Sequence, residues 1–332
     1  MPEEAKLYHV LPDKAVQCDL CHHFCRIRAG RSGFCRARIN RGGKLFTLSY
    51  GRPVSIGIDP VEKKPLYHFL PGTRTLSLGT FGCNFRCGNC QNWEISQSSG
   101  EGMELPFRSP DSIVQEALDA GCPSISYTYN EPTTFAEYAL DIMKPARSNG
   151  LKNIWVSNGY MSDHCLNAVE PLLDAINIDL KSMAESFYRR ICSTLQHPVL
   201  SNLKRLIRSN AHIEITTLVI PGFSDSPEML RRLAEFIVNE LDPETPWHIS
   251  AFAPEFSWKM TDSDATPAET IECAFEVGKK AGLTYVYDAL NHQDTFCPQC
   301  GTVVIHRSGY TILRHDMNGC CPGCGKTIIT LG

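Results

Sequence analysis

The sequence predicts an α/β fold: a partial or full (β/α) barrel, with a small cysteine-rich metal-binding region before it and a zinc ribbon after it. Three observations predict it. Seven short apolar runs alternate with amphipathic stretches between residues 75 and 287. A loop carrying Cys83, Cys87 and Cys90 directly follows the first run. Most of the other cysteines fall into one set before the alternation and one set after it. Alternating units of this kind build a parallel sheet, and six or seven in a row curl into a full or partial barrel. The cysteine groups divide the chain into an N-terminal region and linker over 1–70, a barrel over 71–290 and a ribbon over 291–332.

Composition narrows the class. The 332 residues are 42% hydrophobic with a net charge of −4, enough to bury a large core. No apolar stretch reaches the ~20 residues of a membrane helix. The opening Met1-Pro2-Glu3-Glu4-Ala5-Lys6 lacks the apolar core of a signal peptide, so a cytoplasmic location and no membrane partner are expected. The cytosol keeps thiols reduced, so sixteen cysteines there point to metal rather than to disulfides.

The N-terminal set is Cys18-x2-Cys21-x3-Cys25-x9-Cys35. It suits structural zinc or a second iron–sulfur cluster, and its spacing leaves both open. Its surroundings are basic, with nine Lys or Arg against four Asp or Glu over residues 1–50. Arg26, Arg28, Arg31, Arg36, Arg38 and Arg41 form either a solvated charged face or a site for an acidic protein or RNA.

Strands are expected at 75–81, 124–129, 152–156, 175–180, 213–220, 247–252 and 283–287. Helices are expected at 109–120, 133–148, 227–241 and 267–281, the first and third started by Ser109-Pro110 and Ser226-Pro227. The loop after the first strand reads Cys83-Asn84-Phe85-Arg86-Cys87-Gly88-Asn89-Cys90. Its spacing presents three thiolates to a cubane [4Fe–4S] cluster and leaves one iron open to a small molecule; zinc completed by a remote ligand is the competing reading. Barrel chemistry sits at the C-terminal strand ends. Those ends are polar: Tyr129-Asn130-Glu131-Pro132, Ser157-Asn158-Gly159, Asp179-Leu180-Lys181, Thr216-Thr217, and a sixth strand carrying His248. Cys122, Cys165, Cys192 and Cys273 stand alone and read as ordinary semi-buried residues. At the C-terminal end, Cys297-x2-Cys300 and Cys321-x2-Cys324, each followed by glycine, have the pattern of a zinc ribbon. Cys320 is one residue out of register for that knuckle.

The Cys83–Cys90 motif resembles that of the radical S-adenosylmethionine (radical SAM) enzymes. The core looks like the glycyl-radical-enzyme activases, the pyruvate formate-lyase activating group. The whole chain is closer still to the AmmeMemoRadiSam proteins, on the early cysteine set, the stretch Asp59-Pro60-Val61-Glu62-Lys63-Lys64-Pro65-Leu66-Tyr67-His68-Phe69, Tyr129-Asn130-Glu131-Pro132 and the terminal cysteine pairs. The resemblance implies that Cys83, Cys87 and Cys90 carry the catalytic [4Fe–4S] cluster. The cluster would cleave S-adenosylmethionine (SAM) reductively to methionine and a 5′-deoxyadenosyl radical, which abstracts hydrogen from an unidentified substrate. It places Asn130 and Glu131 at the SAM amino group, Ser157 and Asn158 near its carboxylate or ribose, and Asp179 and Lys181 where the lysine pairs with the carboxylate. His248 is either a further cofactor-facing residue or a core histidine. The implied partners are an electron donor such as flavodoxin or ferredoxin, and Memo-like and AMMECR-like proteins. Three departures stand out: Asn89 replaces an aromatic beside adenine, leaving Trp93 as a candidate for stacking; Val156 replaces an activase acid; and Phe256 stands where activases place a histidine. A true activase acting on a partner protein and a non-catalytic metal-stapled adaptor are the alternative functions.

Overall fold

In the computed structural model, which describes residues 2–100 and 103–330, the alternating pattern becomes one eight-stranded sheet. Its strands are β1 (Ser55–Pro60), β2 (Arg74–Gly79), β3 (Ser124–Tyr127), β4 (Lys152–Ser157), β5 (Ala175–Asp179), β6 (His212–Val219), β7 (Trp247–Ala251) and β8 (Val286–Asp288), paired in that order. Strands β2 to β8 run parallel. β1 lies antiparallel to β2, with Ser55 opposite Gly79 and Pro60 opposite Arg74. The helices α1 (Pro110–Asp119), α2 (Ala136–Ser148), α3 (Asp163–Val169), α4 (His197–Leu206), α5 (Pro227–Phe236) and α6 (Ala268–Ala281) come one between each successive parallel pair. The sheet keeps two edges, β1 and β8, so the barrel is partial.

Local chemistry explains the elements. Ser109 and Ser226 accept hydrogen bonds from Ser112 N and Met229 N, which caps α1 and α5 as expected. On β6, Ile213, Ile215 and Val219 join the core under the helices, while Glu214 and Thr216 take the opposite, interior face. Trp247 packs against α6 so closely that a Cβ at Gly278 would lie 2.9 Å from its ring.

The connection from β1 to β2 does not run over the surface; it plugs the barrel. Val61, Leu66, Phe69 and Leu70 form a cluster with Ile154 and Ala175 from the strands. Asn177 Nδ2 donates to Pro65 O (2.8 Å). Glu214, fully buried, accepts Tyr67 N (3.0 Å), His68 N (2.7 Å), His212 Nε2 (2.9 Å) and His248 Nε2 (2.6 Å). Burial pushes its carboxyl up, but the two histidines outweigh that and hold it well below the ordinary range.

The ribbon is sewn to the same plug. Its strands Thr295–Phe296, Val303–Ser308 and Thr311–Arg314 pair antiparallel. Arg307 stacks 4.1 Å from the Tyr67 ring centroid and donates to Tyr67 O (2.7 Å). Leu70 N donates to Thr330 O (3.0 Å) and Thr330 N to His68 O (2.7 Å). Burial lowers His68 to about 4, so the ring is neutral: Nδ1 donates to Ile328 O (3.0 Å) and Nε2 accepts from Tyr287 Oη (2.6 Å).

At the other end of the chain, two three-stranded antiparallel sheets precede the barrel and share its core through Val16, Ile27 and Leu45. One expectation is corrected here. Arg38 is not part of a basic surface: it is fully buried and its guanidinium pairs with Glu137 on α2, because a helix covers the strand that carries it.

Replacing Glu214 by Ala strands four donors, and breaking such a buried pair costs about 3–5 kcal/mol, to be read from urea unfolding; a loss below about 1 kcal/mol would contradict the hub. The carboxyl is depressed on folding, so its contribution is full above its unfolded value of about 4.3 and fades as pH falls through the folded one. The stability gap between the wild type and Glu214→Gln should therefore narrow on acidification below about pH 4.

Candidate active site

The cysteine loop leaves β2 at its C-terminal end and is held from four directions. Asn130 braces its entrance, accepting from Thr80 N (3.0 Å) and donating to Gly82 O (2.7 Å). Phe85 N donates to Cys83 Sγ (3.3 Å), and Cys90 Sγ lies 3.3 Å from Ser96 Oγ on the short helix Trp93–Ser96. The far side of the loop rests on a π-helical turn, Tyr188–Cys192, closed by Ser193 at φ 58°. That turn frees the carbonyls of Cys192 and Ile191 to accept Arg86 N and Gly88 N, both at 3.0 Å.

Glu131 ties the next strand end to the same place. Oε1 accepts Thr133 N (3.0 Å), Thr133 Oγ1 (2.5 Å) and Ser157 Oγ (2.8 Å), while Oε2 accepts Asn158 N (2.8 Å). Among the described residues Oε2 thus carries the lighter load and has acceptor capacity to spare. The Asn158 amide donates to Asn84 Oδ1 (2.7 Å) and reaches 4.0 Å from Cys83 Sγ. Lys181 Nζ pairs with Asp179 Oδ2 at 2.9 Å, and Lys181 N donates to Tyr188 Oη (3.1 Å). Burial works against the Lys181 charge, but Asp179, Cys87 and Cys192 overcome it and raise its pKa well above the usual lysine range.

The three loop thiols differ. Cys192 hydrogen-bonds Cys87 and, with help from Lys181, holds it below an ordinary thiol despite burial. Burial and Glu131 push Cys83 well up, and burial with Cys87 raises Cys90.

The geometry therefore brings Cys83, Cys87, Cys90, Asn130, Glu131, Ser157, Asn158, Asp179 and Lys181 around one loop. It sets His248 elsewhere, on Glu214 with its ring 5.4 Å from Tyr287 and 4.7 Å from Tyr67. Cys192, expected to be an ordinary half-buried residue, is fully buried against Cys87, and Cys273 is exposed on α6. Cys192 carries no sequence signal, because its neighbour lies on a distant loop. Trp93 and Phe256 are both partly exposed.

The terminal cysteines make a separate centre. The sulfurs of Cys297, Cys300, Cys321 and Cys324 all lie within 4.8 Å of one another, with Cys297–Cys324 and Cys300–Cys321 each at 3.5 Å. A single tetrahedral ion with bonds of about 2.3 Å spaces its sulfurs about 3.8 Å apart, so the group could hold one metal ion. Cys320 turns away, its Sγ 3.6 Å from Thr327 Oγ1.

A family model described as the Radical SAM superfamily matches residues 77–237. An uncharacterized protein of Methanocaldococcus jannaschii is 42% identical over 98% of this chain and 98% of its own length. Residues 77–237 are thus a radical SAM domain. Pyruvate formate-lyase 1-activating enzyme of Escherichia coli strain K12 is 24% identical to this chain over 174 residues, covering 50% of this chain and 69% of the relative. The crystal structure of Streptococcus suis SuiB bound to precursor peptide SuiA superposes with a TM-score of 0.50 at 13% identity, covering 70% of this chain and 52% of that one, a likeness of fold.

A radical SAM domain implies a [4Fe–4S] cluster and SAM, and the residues fit both. Three thiols on one braced loop, with a backbone N–H on sulfur and Lys181 beside them, match the donor chemistry of a cluster with an open iron. Inside the barrel, the buried Asn177 Oδ1 and Thr216 Oγ1 have no partner among the described residues, which suits a polar ligand there.

Cys324→Ser should remove about one metal ion per chain, counted by plasma emission, and make the ribbon sensitive to protease while the barrel keeps its far-UV spectrum. Retention of the metal in that variant would sink the four-cysteine assignment.

Proposed function

We propose that this protein is a radical SAM enzyme in which Cys83, Cys87 and Cys90 each ligate one iron of a [4Fe–4S] cluster. When bound, that cluster supplies the electron for reductive cleavage of SAM and hydrogen abstraction from a substrate. The observation that carries the reading is the convergence of three strand ends on one cysteine loop through Glu131, Asn158 and Lys181. Glu131 Oε2 accepts from the ammonium group of SAM, a charge-assisted bond. Ser157 and Asn158 orient Glu131 and border the ligand. Lys181, steadied by Asp179, balances the negative charge of the thiolates and meets the SAM carboxylate. His248 acts as a positioning residue, since its ring nitrogen is committed to Glu214.

A protein substrate is the form best supported by the likeness to pyruvate formate-lyase activating enzymes, with a flavodoxin or ferredoxin as reductant. The resemblance to AmmeMemoRadiSam proteins extends this to Memo-like and AMMECR-like partners. The exposed Phe256, at the activase histidine position, weighs against a glycine in a glycyl-radical partner.

Anaerobically reconstituted protein, reduced with dithionite and given SAM, should release 5′-deoxyadenosine, and Cys87→Ala should release none. An intact, reducible cluster that neither binds nor cleaves SAM would remove the enzymatic reading. Glu131→Gln should weaken SAM binding about tenfold or more by calorimetry, the worth of a hydrogen bond to a charged group; unchanged affinity would take Glu131 out of the site.

A further inference from the structure

The four N-terminal cysteines come from separate segments and meet. Cys18 ends a strand, Cys21 bridges to Met161, Cys25 precedes the strand Arg26–Ile27, and Cys35 lies in the turn before Arg38–Arg41. All four line a single cavity, together with His23, Arg38, Asn84 and Thr134. Phe34 N donates to Cys25 Sγ at 3.5 Å.

Arg38 adds an independent sign. It is fully buried; one guanidinium nitrogen serves Glu137, and Nε and Nη1 have no partner among the described residues. A buried cation with donors to spare, lining a cavity walled by four thiols, calls for an anionic occupant. A thiolate-ligated metal centre is one.

Spacing decides which. Among the described residues, the terminal quartet is the group whose ligand atoms all close to within 4.8 Å, the compactness one ion imposes. The N-terminal four share a cavity without closing to that limit, and Cys83, Cys87 and Cys90 do not close to it either. A cubane puts each cysteine on a different iron and so holds the sulfurs farther apart than a single ion does. We propose that Cys18, Cys21, Cys25 and Cys35 ligate a second [4Fe–4S] cluster rather than zinc. It backs directly onto the first loop. Gly82, the residue before Cys83, has φ +84°, and a Cβ there would lie 2.4 Å from Cys35 O. His23 Nε2 donates to Asn84 O at 2.6 Å, and Asn84 itself lines the cavity.

The assignment goes beyond the proposed activity and does not depend on it. The test is a metal count on full-length protein reconstituted anaerobically with ferrous iron and sulfide in the presence of equal zinc. Wild type should hold about eight irons, about eight sulfides and about one zinc per chain. The variant Cys83→Ala/Cys87→Ala/Cys90→Ala should keep about four irons and about four sulfides, with the EPR signal of a reduced cubane. Cys18→Ser/Cys21→Ser should lose about four irons and retain those of the Cys83 loop. A wild type with about four irons and about two zincs overturns the proposal, as does a loop variant with no iron. The wild-type count stands even if either variant misfolds. Failure to cleave SAM by protein carrying about eight irons would count against the activity alone.

Discussion

One buried carboxylate organises the barrel. An ionised Glu214 without partners in that interior would cost several kcal/mol, and the chain supplies its donors from separate segments. Two are backbone N–H groups of the plug, one is His212 on its own strand, and one is His248 on the next. The plug therefore cannot drift from β6 and β7 without exposing a charge to an apolar surround. Because the plug also carries Tyr67 and His68, the same constraint positions Arg307 and residues 328–330, and through them the ribbon. A partial barrel with two free edges is in this way closed off at one end by side-chain chemistry rather than by strand pairing.

The opposite end is organised by Glu131, and the two carboxylates differ in what they leave open. Glu214 is shared among four donors spread over both oxygens. Glu131 concentrates three on Oε1 and takes Asn158 N on Oε2. One group is a fastener; the other is a fastener whose second oxygen has acceptor capacity to spare. The loop is held by amides and carbonyls from β3, β4 and the π-helical turn, so its thiols are placed by rigid elements and not by the loop's own preferences.

What could be read beforehand follows from the range of the forces involved. The seven parallel strands, the caps at Ser109 and Ser226 and both knuckles of the ribbon are local patterns, and they stand where expected. The cysteine loop was legible because its ligands are close in sequence. α4 was not, since its Gln196-His197-Pro198 start offers no capping side chain of the usual kind. β1 and the plug read as linker because their partners are the barrel interior and not their neighbours. Arg38 read as surface because burial of a cation depends on a Glu137 far along the chain. The pairings of Cys192 with Cys87 and of His248 with Glu214 were hidden for the same reason: each is a contact no local spacing encodes.

The lacing of residues 68–70 to residues 328–330 has a consequence for synthesis. His68 and Ile328 are 260 positions apart, so the plug meets its final partner only after every strand of the sheet has left the ribosome. Contacts of such separation form late. Until then the nascent sheet presents an unsealed base, and a truncated product lacking the ribbon would leave that base without Arg307 and the backbone pairing at Thr330. Closure of that base therefore waits on residues 307–330, which are made after all eight strands of the sheet.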